Sequence, residues 1–188
     1  MDGATLVVDG EVVLRPITAA HEGALVAAVG SSHAALATWM PWASADYGTT
    51  EARVFLELVA AGAEHAYAIT TVADDAFHGV CGVNRLDPLN RTANVGYWLA
   101  TASTGRGLAT RGVRRLLVHA LEALDLERLE IVAAVDNRPS VAVAQRLELH
   151  DEGVRRRALR VGDTQHDARV FAAFPTDLDR LRRRPGAA

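Results

Sequence analysis

Gly105 and Gly107 bracket Arg106 in the stretch ASTGRGLATRGVRRLLVHAL, residues 102–121, directly ahead of a long amphipathic run. Two glycines one residue apart make a turn of little side-chain volume. A helix that starts at the second leaves its first backbone N–H groups pointing back into that turn. Unpaired N–H groups at the positive end of a helix dipole hold anions, phosphates in particular. Thr104, Gly105, Arg106, Gly107, Leu108, Ala109, Thr110 and Arg111 are therefore candidate anion-binding residues. The guanidinium groups of Arg106 and Arg111 suit phosphate, and they equally suit ordinary surface ion pairs. Two rival phosphate loops do not fit: a P-loop needs a lysine that the segment lacks, and a dinucleotide fingerprint needs a third glycine where Thr110 stands.

A second polar constellation is Asn137 and Ser140 in DNRPSVAVAQRLEL. Both lie where a helix begins, so helix capping is one reading of the pair and ligand contact another. Tyr97 and Trp98 are neighbours on a β-type run and point to opposite faces, one toward the core and one toward a cleft. Trp39 and Trp42 flank Met40 and Pro41 in an irregular stretch, where bulky rings either wall a substrate cleft or fill a gap between layers. Cys81, in the alternating stretch HGVCGVNRL, reads as a small buried apolar residue rather than a nucleophile. As the only cysteine, it excludes an intrachain disulfide and a Cys-based zinc cluster. The seven histidines are scattered, with no pair at helical ligand spacing, so no metal is expected.

The elements that must position these residues are legible in outline. TLVV, an Asp9-Gly10 turn and EVVLRP read as a hairpin stopped by Pro16. Thr18 is placed to cap a helix to about Val29 with Leu25, Val26 and Val29 on one face, and a second short helix is expected from Ser31 or Ser32 to Thr38. Thr50 is expected to cap EARVFLELVAAGA, with Val54, Phe55, Leu58 and Val59 as a core-facing stripe. AYAITTV, FHGVCGVNRL and TANVGYWLA are β-rich runs joined by turn compositions, hence an antiparallel meander. The amphipathic run then reads as a helix from about Gly107 to Leu124, with Leu108, Val113, Leu116, Leu117, Ala120, Leu121 and Leu124 inward. The strand RLEIVAAV follows; strand, crossover helix and apolar strand suggest a parallel pair. A capped helix at DNRPSVAVAQRLEL and a hairpin turned at VGD close the chain.

At 188 residues the chain suits one domain over 1–188, with a tail from about residue 176. A formal charge of −3 offers no basic field for nucleic acid, and the basic run RLRRR at 180–184 reads as solvated tail. The N-terminus carries acidic residues without an export pattern and no apolar run approaches spanning length, so a soluble cytoplasmic protein that binds neither membrane nor nucleic acid is expected.

The string NVGYWLATASTGRGLATRGVRRLL closely resembles the coenzyme-binding motif of the GNAT superfamily of acyl-CoA-dependent N-acyltransferases, Q/R-x-x-G-x-G/A, with Thr104 through Ala109 in its place. WMPW at 39–42, VGYWL at 95–99 and VDNRPSVAVAQRLELHDEGVRR at 135–156 further resemble the branch that includes the RimJ- and RimL-type ribosomal-protein N-terminal acetyltransferases. Departures are Thr104 in place of Gln or Arg, and Glu148-Leu149 in place of Gly-Phe. The resemblance implies an α/β (α+β) fold: a central mixed, mostly antiparallel twisted sheet with a parallel splayed strand pair, flanked by helices. It implies acetyl-CoA as cosubstrate, held by the backbone of residues 104–111, with exposed backbone at Trp98 and Leu99 donating to the thioester carbonyl. Ser140 would stand near the coenzyme sulfur as a catalytic hydroxyl, with Asn137 beside it. Trp39, Trp42 and Tyr97 would line the acceptor site. The acceptor would be a protein or peptide N-terminus, or else a small-molecule amine, and a homodimer is common among such proteins. An acyl-CoA-binding module without catalysis is the reading from another class. The base is open: Asn94 stands where many members carry a carboxylate, leaving Glu130, Asp136, His78 or a water relay.

Overall fold

The computed structural model describes residues 4–183, so the start of the N-terminal reading and Arg184 of the basic run lie outside the described residues. β1 (Leu6–Val7) and β2 (Val12–Pro16) form the expected hairpin. The Asp9 carboxylate closes its turn by accepting the N–H groups of Glu11 and Val12, both at 2.9 Å. After a 3-10 turn, α1 (Glu22–Leu36) runs as one helix where two were expected. Serines at 31 and 32 do not break it: Ser31 Oγ donates back to the Ala28 carbonyl at 3.1 Å, and Ser32 is buried.

α2 (Thr49–Ala60) begins two residues earlier than a Thr50 cap would set it, with Gly48 as N-cap, because Glu51 reaches back to accept the Gly48 N–H at 2.8 Å. Half of its expected stripe faces the core, since Phe55 and Val59 pack partly buried against it, and the other half does not. Ala52 and Leu56 are the buried residues, while Val54 and Leu58 are 54% and 44% exposed. Apolar positions 52, 54, 55, 56, 58 and 59 cover more than half the helix circumference, so periodicity does not fix which arc lies inward.

The meander is β3 (His65–Thr71), β4 (Phe77–Asp87) and β5 (Thr92–Leu99), paired antiparallel. Then come α3 (Leu108–Ala123), β6 (Arg128–Ala134), α4 (Arg138–Arg146), and the long hairpin of β7 (His150–Val161) and β8 (Thr164–Ala173). One eight-stranded sheet results, in the order β1-β2-β3-β4-β5-β6-β8-β7. Its single parallel pair, β5 with β6, runs only from Thr92↔Arg128 to Asn94↔Glu130. Past Asn94, β5 stays with β4 and β6 goes on with β8, so the two strands diverge.

Two apolar layers enclose the sheet. On one face, Leu108, Val113, Leu116, Leu117, Ala120 and Leu121 of α3 are buried against strand residues such as Leu14, Ile69, Val95 and Ile131. On the other, Leu25 of α1 with Ala52 and Leu56 of α2 cover Ile17, Ala66 and Val80. Cys81 is fully buried and its thiol is pushed up by burial, as a packing residue should be.

The expected tail is corrected as far as the description reaches. Residues 175–177 form a 3-10 turn and α5 (Leu178–Arg182) follows, with Leu181 inside the core. Asp177 anchors it, accepting the Phe174 N–H at 2.9 Å and pairing with Arg180 at 2.9 Å. The turn after α4 keeps its form without a glycine: Glu148 takes a left-handed φ of 53° and Leu149 is buried.

Candidate active site

The glycines of the loop do what their spacing suggests. Gly105 and Gly107 have φ of 77° and 72°, and a Cβ at either would meet nothing within 4 Å, so open space lies before them. Gly107 is the N-cap of α3 and supplies no side chain to the first turn. The N–H groups of Leu108, Ala109 and Thr110 are the orphan donors of a helix start. Beside them, Thr110 Oγ1 is buried without a hydrogen-bond partner among the described residues. A buried orphan hydroxyl at a helix N-terminus is suited to an anion with several acceptor oxygens, and a pyrophosphate fits that requirement.

Thr104 and the arginines serve the loop differently from one another. Thr104 Oγ1 donates to the Thr101 carbonyl at 2.8 Å, locking the preceding 3-10 turn. Arg111 pairs with Asp9 at 2.9 Å and with Glu11 at 3.1 Å, and Arg106 pairs with Glu11 at 3.2 Å. Both guanidinium groups are thus tied to the β1–β2 turn beside the loop.

The divergence of β5 from β6 opens a wedge-shaped cleft of about 840 Å³. Ala100 N–H donates to the His78 carbonyl at 2.8 Å, so by ladder alternation the even-numbered residues of β5 bond to β4. The backbone groups of Val95, Tyr97 and Leu99 therefore face the opening toward β6, and those of Trp98 face Val80. Of the two expected backbone donors, Leu99 lies on the open side and Trp98 contributes its ring. Trp98 packs against Trp42 at 5.7 Å between centroids and Phe77 at 6.2 Å, and Trp42 against Tyr47 at 5.8 Å. Trp39 lines the cleft from the α1–α2 loop and meets His166 of the β7–β8 hairpin in a tilted ring contact at 5.9 Å between centroids, and residues 158–161 of that hairpin form the facing wall.

Asn137 and Ser140 reach the same cleft at the start of α4. Asn137 is buried and caps the helix, its Oδ1 accepting the Ser140 N–H at 3.3 Å. Ser140 Oγ lies 2.9 Å from Tyr97 Oη, which also donates to the Ser140 carbonyl at 3.0 Å. Burial pushes the Tyr97 phenol up to about 12, against a smaller lowering by its Ser140 bond, so it stays protonated at neutral pH. Tyr97 thus joins a hydroxyl pair rather than standing only as an acceptor wall. Sequence pattern hides this contact, because it spans two elements that meet only across the divergence.

The three groups weighed as bases do not face the cleft as free bases. Glu130 is held by Arg128 at 2.6 Å and Arg155 at 3.3 Å. His78 is buried, with Nδ1 at 2.8 Å from Ser103 Oγ and Nε2 at 3.2 Å from Thr71 Oγ1, and burial lowers its pKa further. Asp136 is exposed outside the cleft lining. Asn94 is hydrogen-bonded to Asn84, Nδ2 to Oδ1 at 2.9 Å. Two carboxylates do line the cleft, Glu51 and Glu64, and pattern reading singled out neither. Among the described residues no group of His, Cys, Asp and Glu is placed to hold a metal ion, and no helix is long and apolar enough to cross a membrane.

Comparison with known proteins places this architecture. The chain is 35% identical over 106 residues to YdaF of Bacillus subtilis (strain 168), covering 56% of this chain and 58% of that protein. It is 34% identical over 99 residues to the ribosomal-protein-serine acetyltransferase of Escherichia coli (strain K12), covering 53% and 55%. The matched stretch thus spans little more than half the length of these curated relatives. A solved structure of RimL, a ribosomal L7/L12 alpha-N-protein acetyltransferase in complex with coenzyme A, superposes with a TM-score of 0.84 at 27% identity, over 91% of this chain and 98% of that one. Residues 11–150, which contain the loop, the diverging strands and the Asn137–Ser140 turn, match the acetyltransferase (GNAT) domain, and the chain belongs to that family.

Proposed function

We propose that the protein transfers an acetyl group from acetyl-CoA to the N-terminal α-amine of a protein or peptide, by direct attack of the amine on the thioester. The observation that carries this reading is the cleft between β5 and β6, with an uncapped helix start before it and a buried hydroxyl pair beside it. RimL and the Escherichia coli relative, by their names, act on ribosomal proteins, which supports a protein acceptor. The reading places the protein in the cytoplasm.

Bound coenzyme supplies an acetyl group activated as a thioester. The chain's own residues then have distinct tasks. The N–H groups of Leu108, Ala109 and Thr110, with Thr110 Oγ1 and the Gly105–Gly107 turn, hold the pyrophosphate. The N–H of Leu99, free of the β4 ladder, donates toward the thioester carbonyl and stabilises negative charge there. Ser140, paired with Tyr97, is the hydroxyl that offers a hydrogen bond to the departing sulfur and stabilises the charge developing there. Asn137 fixes the turn that carries Ser140. Trp39, Trp42 and Trp98 exclude water from the attack path.

Incubating the protein with acetyl-CoA and an acceptor panel tests this. The panel is a serine-initiated peptide, the same peptide blocked at its α-amine, and small primary amines. Acetylation of the free peptide alone is the expected result. Acetylation confined to the small amines would replace the acceptor, and coenzyme binding without transfer to any amine would leave a non-catalytic acyl-CoA module.

A further inference from the structure

Ahead of the Gly105–Gly107 loop, the 3-10 turn Thr101–Ser103 is anchored at both ends by buried side chains. Ser32 of α1 accepts the Thr101 N–H on its Oγ at 2.9 Å, and Ser103 Oγ lies 2.8 Å from His78 Nδ1. Ser32, Ser103 and His78 are all buried. The close approach of β4 to β5 is what brings His78 to the turn. Gly79 pairs with Leu99, and a Cβ at Gly79 would stand 2.1 Å from the Trp98 carbonyl oxygen, nearer than any side chain allows. The His78 carbonyl then accepts the Ala100 N–H at 2.8 Å, and its imidazole meets Ser103.

The contacts of His78 set the direction of each hydrogen bond around it. The Thr71 hydroxyl holds Asp74 below the usual carboxylate range, so Asp74 is ionised at neutral pH and only accepts. Thr71 Oγ1 therefore directs its one proton to Asp74 Oδ1, at 2.5 Å. Only its lone pairs are left for His78 Nε2, at 3.2 Å, so Nε2 carries the ring proton. Burial, reinforced by Arg106 and opposed by Asp74 and Glu11, lowers the His78 pKa, so at neutral pH the ring is neutral and Nδ1 is bare. The Ser103 hydroxyl is thereby the donor to Nδ1. Ser103, His78 and Thr71 thus donate in one sense, from the edge of the coenzyme loop toward the exposed Asp74 carboxylate, and each bond polarises the next.

We propose that His78 is a positioning residue for acetyl-CoA: its bare Nδ1, fixed in that tautomer by Thr71 and Asp74, holds Ser103 and so presets the backbone that the loop offers to the pyrophosphate. The inference rests on the loop being the phosphate site of the coenzyme. Thr104 follows Ser103 directly and is itself bound back to the Thr101 carbonyl at 2.8 Å, so the fixed segment reaches the first residue of the loop. Beyond it come the two glycines at left-handed φ. Their freedom enlarges the set of conformations that binding must order when the preceding turn is untethered. A preset loop lowers that cost, and its loss appears in coenzyme affinity. A buried histidine that only fills space responds to volume, whereas this role responds to where an acceptor atom stands.

His78→Asn and His78→Gln separate the two. Asparagine places an amide oxygen where Nδ1 stands and keeps an acceptor for Ser103. Glutamine is closer to histidine in size, but its amide extends to the position of Nε2 and withdraws that acceptor. In calorimetric titrations with acetyl-CoA, His78→Gln and Ser103→Ala should each weaken binding about tenfold, and His78→Asn should stay within about threefold of the unaltered protein. Combining His78→Gln with Ser103→Ala should weaken binding no further than either alone. Nitrogen-15 spectra should show the His78 ring, identified by its absence from His78→Asn, protonated at Nε2 and bare at Nδ1. Affinity that follows size, with His78→Gln better than His78→Asn, equal affinity in all variants, or a ring protonated at Nδ1 overturns the proposal. Ser103→Ala removes a single oxygen atom and, with the spectra, decides the matter if a histidine variant fails to fold. If the unaltered protein binds no acetyl-CoA, the loop reading falls and the proposal with it, whereas binding that ignores Ser103→Ala overturns the proposal alone.

Discussion

At the residue scale, the hydroxyl pair ties local structure most directly to chemistry. Ser140 Oγ is held in place by Tyr97 from across the cleft, and Tyr97 keeps its proton because burial disfavours the phenolate. Tyr97→Phe removes that bond while preserving the ring that packs against the core. A hydrogen bond of about 1.4 kcal/mol corresponds to tenfold in rate. Steady-state kinetics should accordingly show kcat reduced roughly tenfold with acetyl-CoA affinity unchanged. Unaltered kcat would show that Ser140 needs no support from β5. Sequence reading found Ser140 and Tyr97 separately and assigned them to different tasks, because 43 residues separate them. By contrast, the Gly105-Arg106-Gly107 turn was legible: its conformation follows from residues adjacent in the chain.

At the element scale, β5, α3, β6 and α4 were readable because each carries a strong local period or a marked start signal. Helix α2 was readable as a helix, with Phe55 and Val59 rightly on the core side and Val54 and Leu58 wrongly so. Its apolar residues spread over too wide an arc, and only packing against Ile17, Ala66 and Val80 selects Ala52 and Leu56 as the buried side. The consequence is functional, since Val54 and Leu58 become cleft wall. Leu58→Ser should therefore leave thermal stability within about 0.5 kcal/mol, as expected of an exposed site. It should raise KM for a peptide acceptor severalfold without changing acetyl-CoA affinity. A clear fall in Tm with unchanged KM would return Leu58 to the core. Glu64 was illegible for a related reason. Whether a residue at the mouth of a strand lines a cleft depends on sheet register, which is settled by pairing with β4 rather than by its neighbours in sequence.

At the scale of the whole molecule, α5 packs against α3 and puts Leu181 into the core, where composition alone suggested a solvated tail. Asp177 holds that end. Burial pushes its carboxyl up, but the Phe174 N–H, Arg180 and His150 outweigh burial and bring it below its ordinary value. A carboxyl lowered on folding contributes stability above its unfolded pKa and loses it as pH falls through the folded value. Asp177→Asn should lower stability by about 1–3 kcal/mol at neutral pH, with the difference from the unaltered protein narrowing below about pH 4. Thermal melts across pH check this, and a deficit independent of pH would mean that the charge is not the anchor. All 20 basic side chains of the Lys and Arg class are arginine, so transfer to a lysine of this chain cannot obscure an acetylation assay. The central claim joins these scales: the opening at β5 and β6 works only if the start of α3 holds the coenzyme's pyrophosphate. Calorimetric titration of acetyl-CoA into the unaltered protein, Gly107→Ala and Gly107→Glu tests it. Both variants impose a side chain at a left-handed φ, and only the glutamate adds charge before the helix start. The account predicts saturable binding that Gly107→Ala weakens modestly and Gly107→Glu abolishes. Equal affinity in all three, or no binding to the unaltered protein, would contradict it.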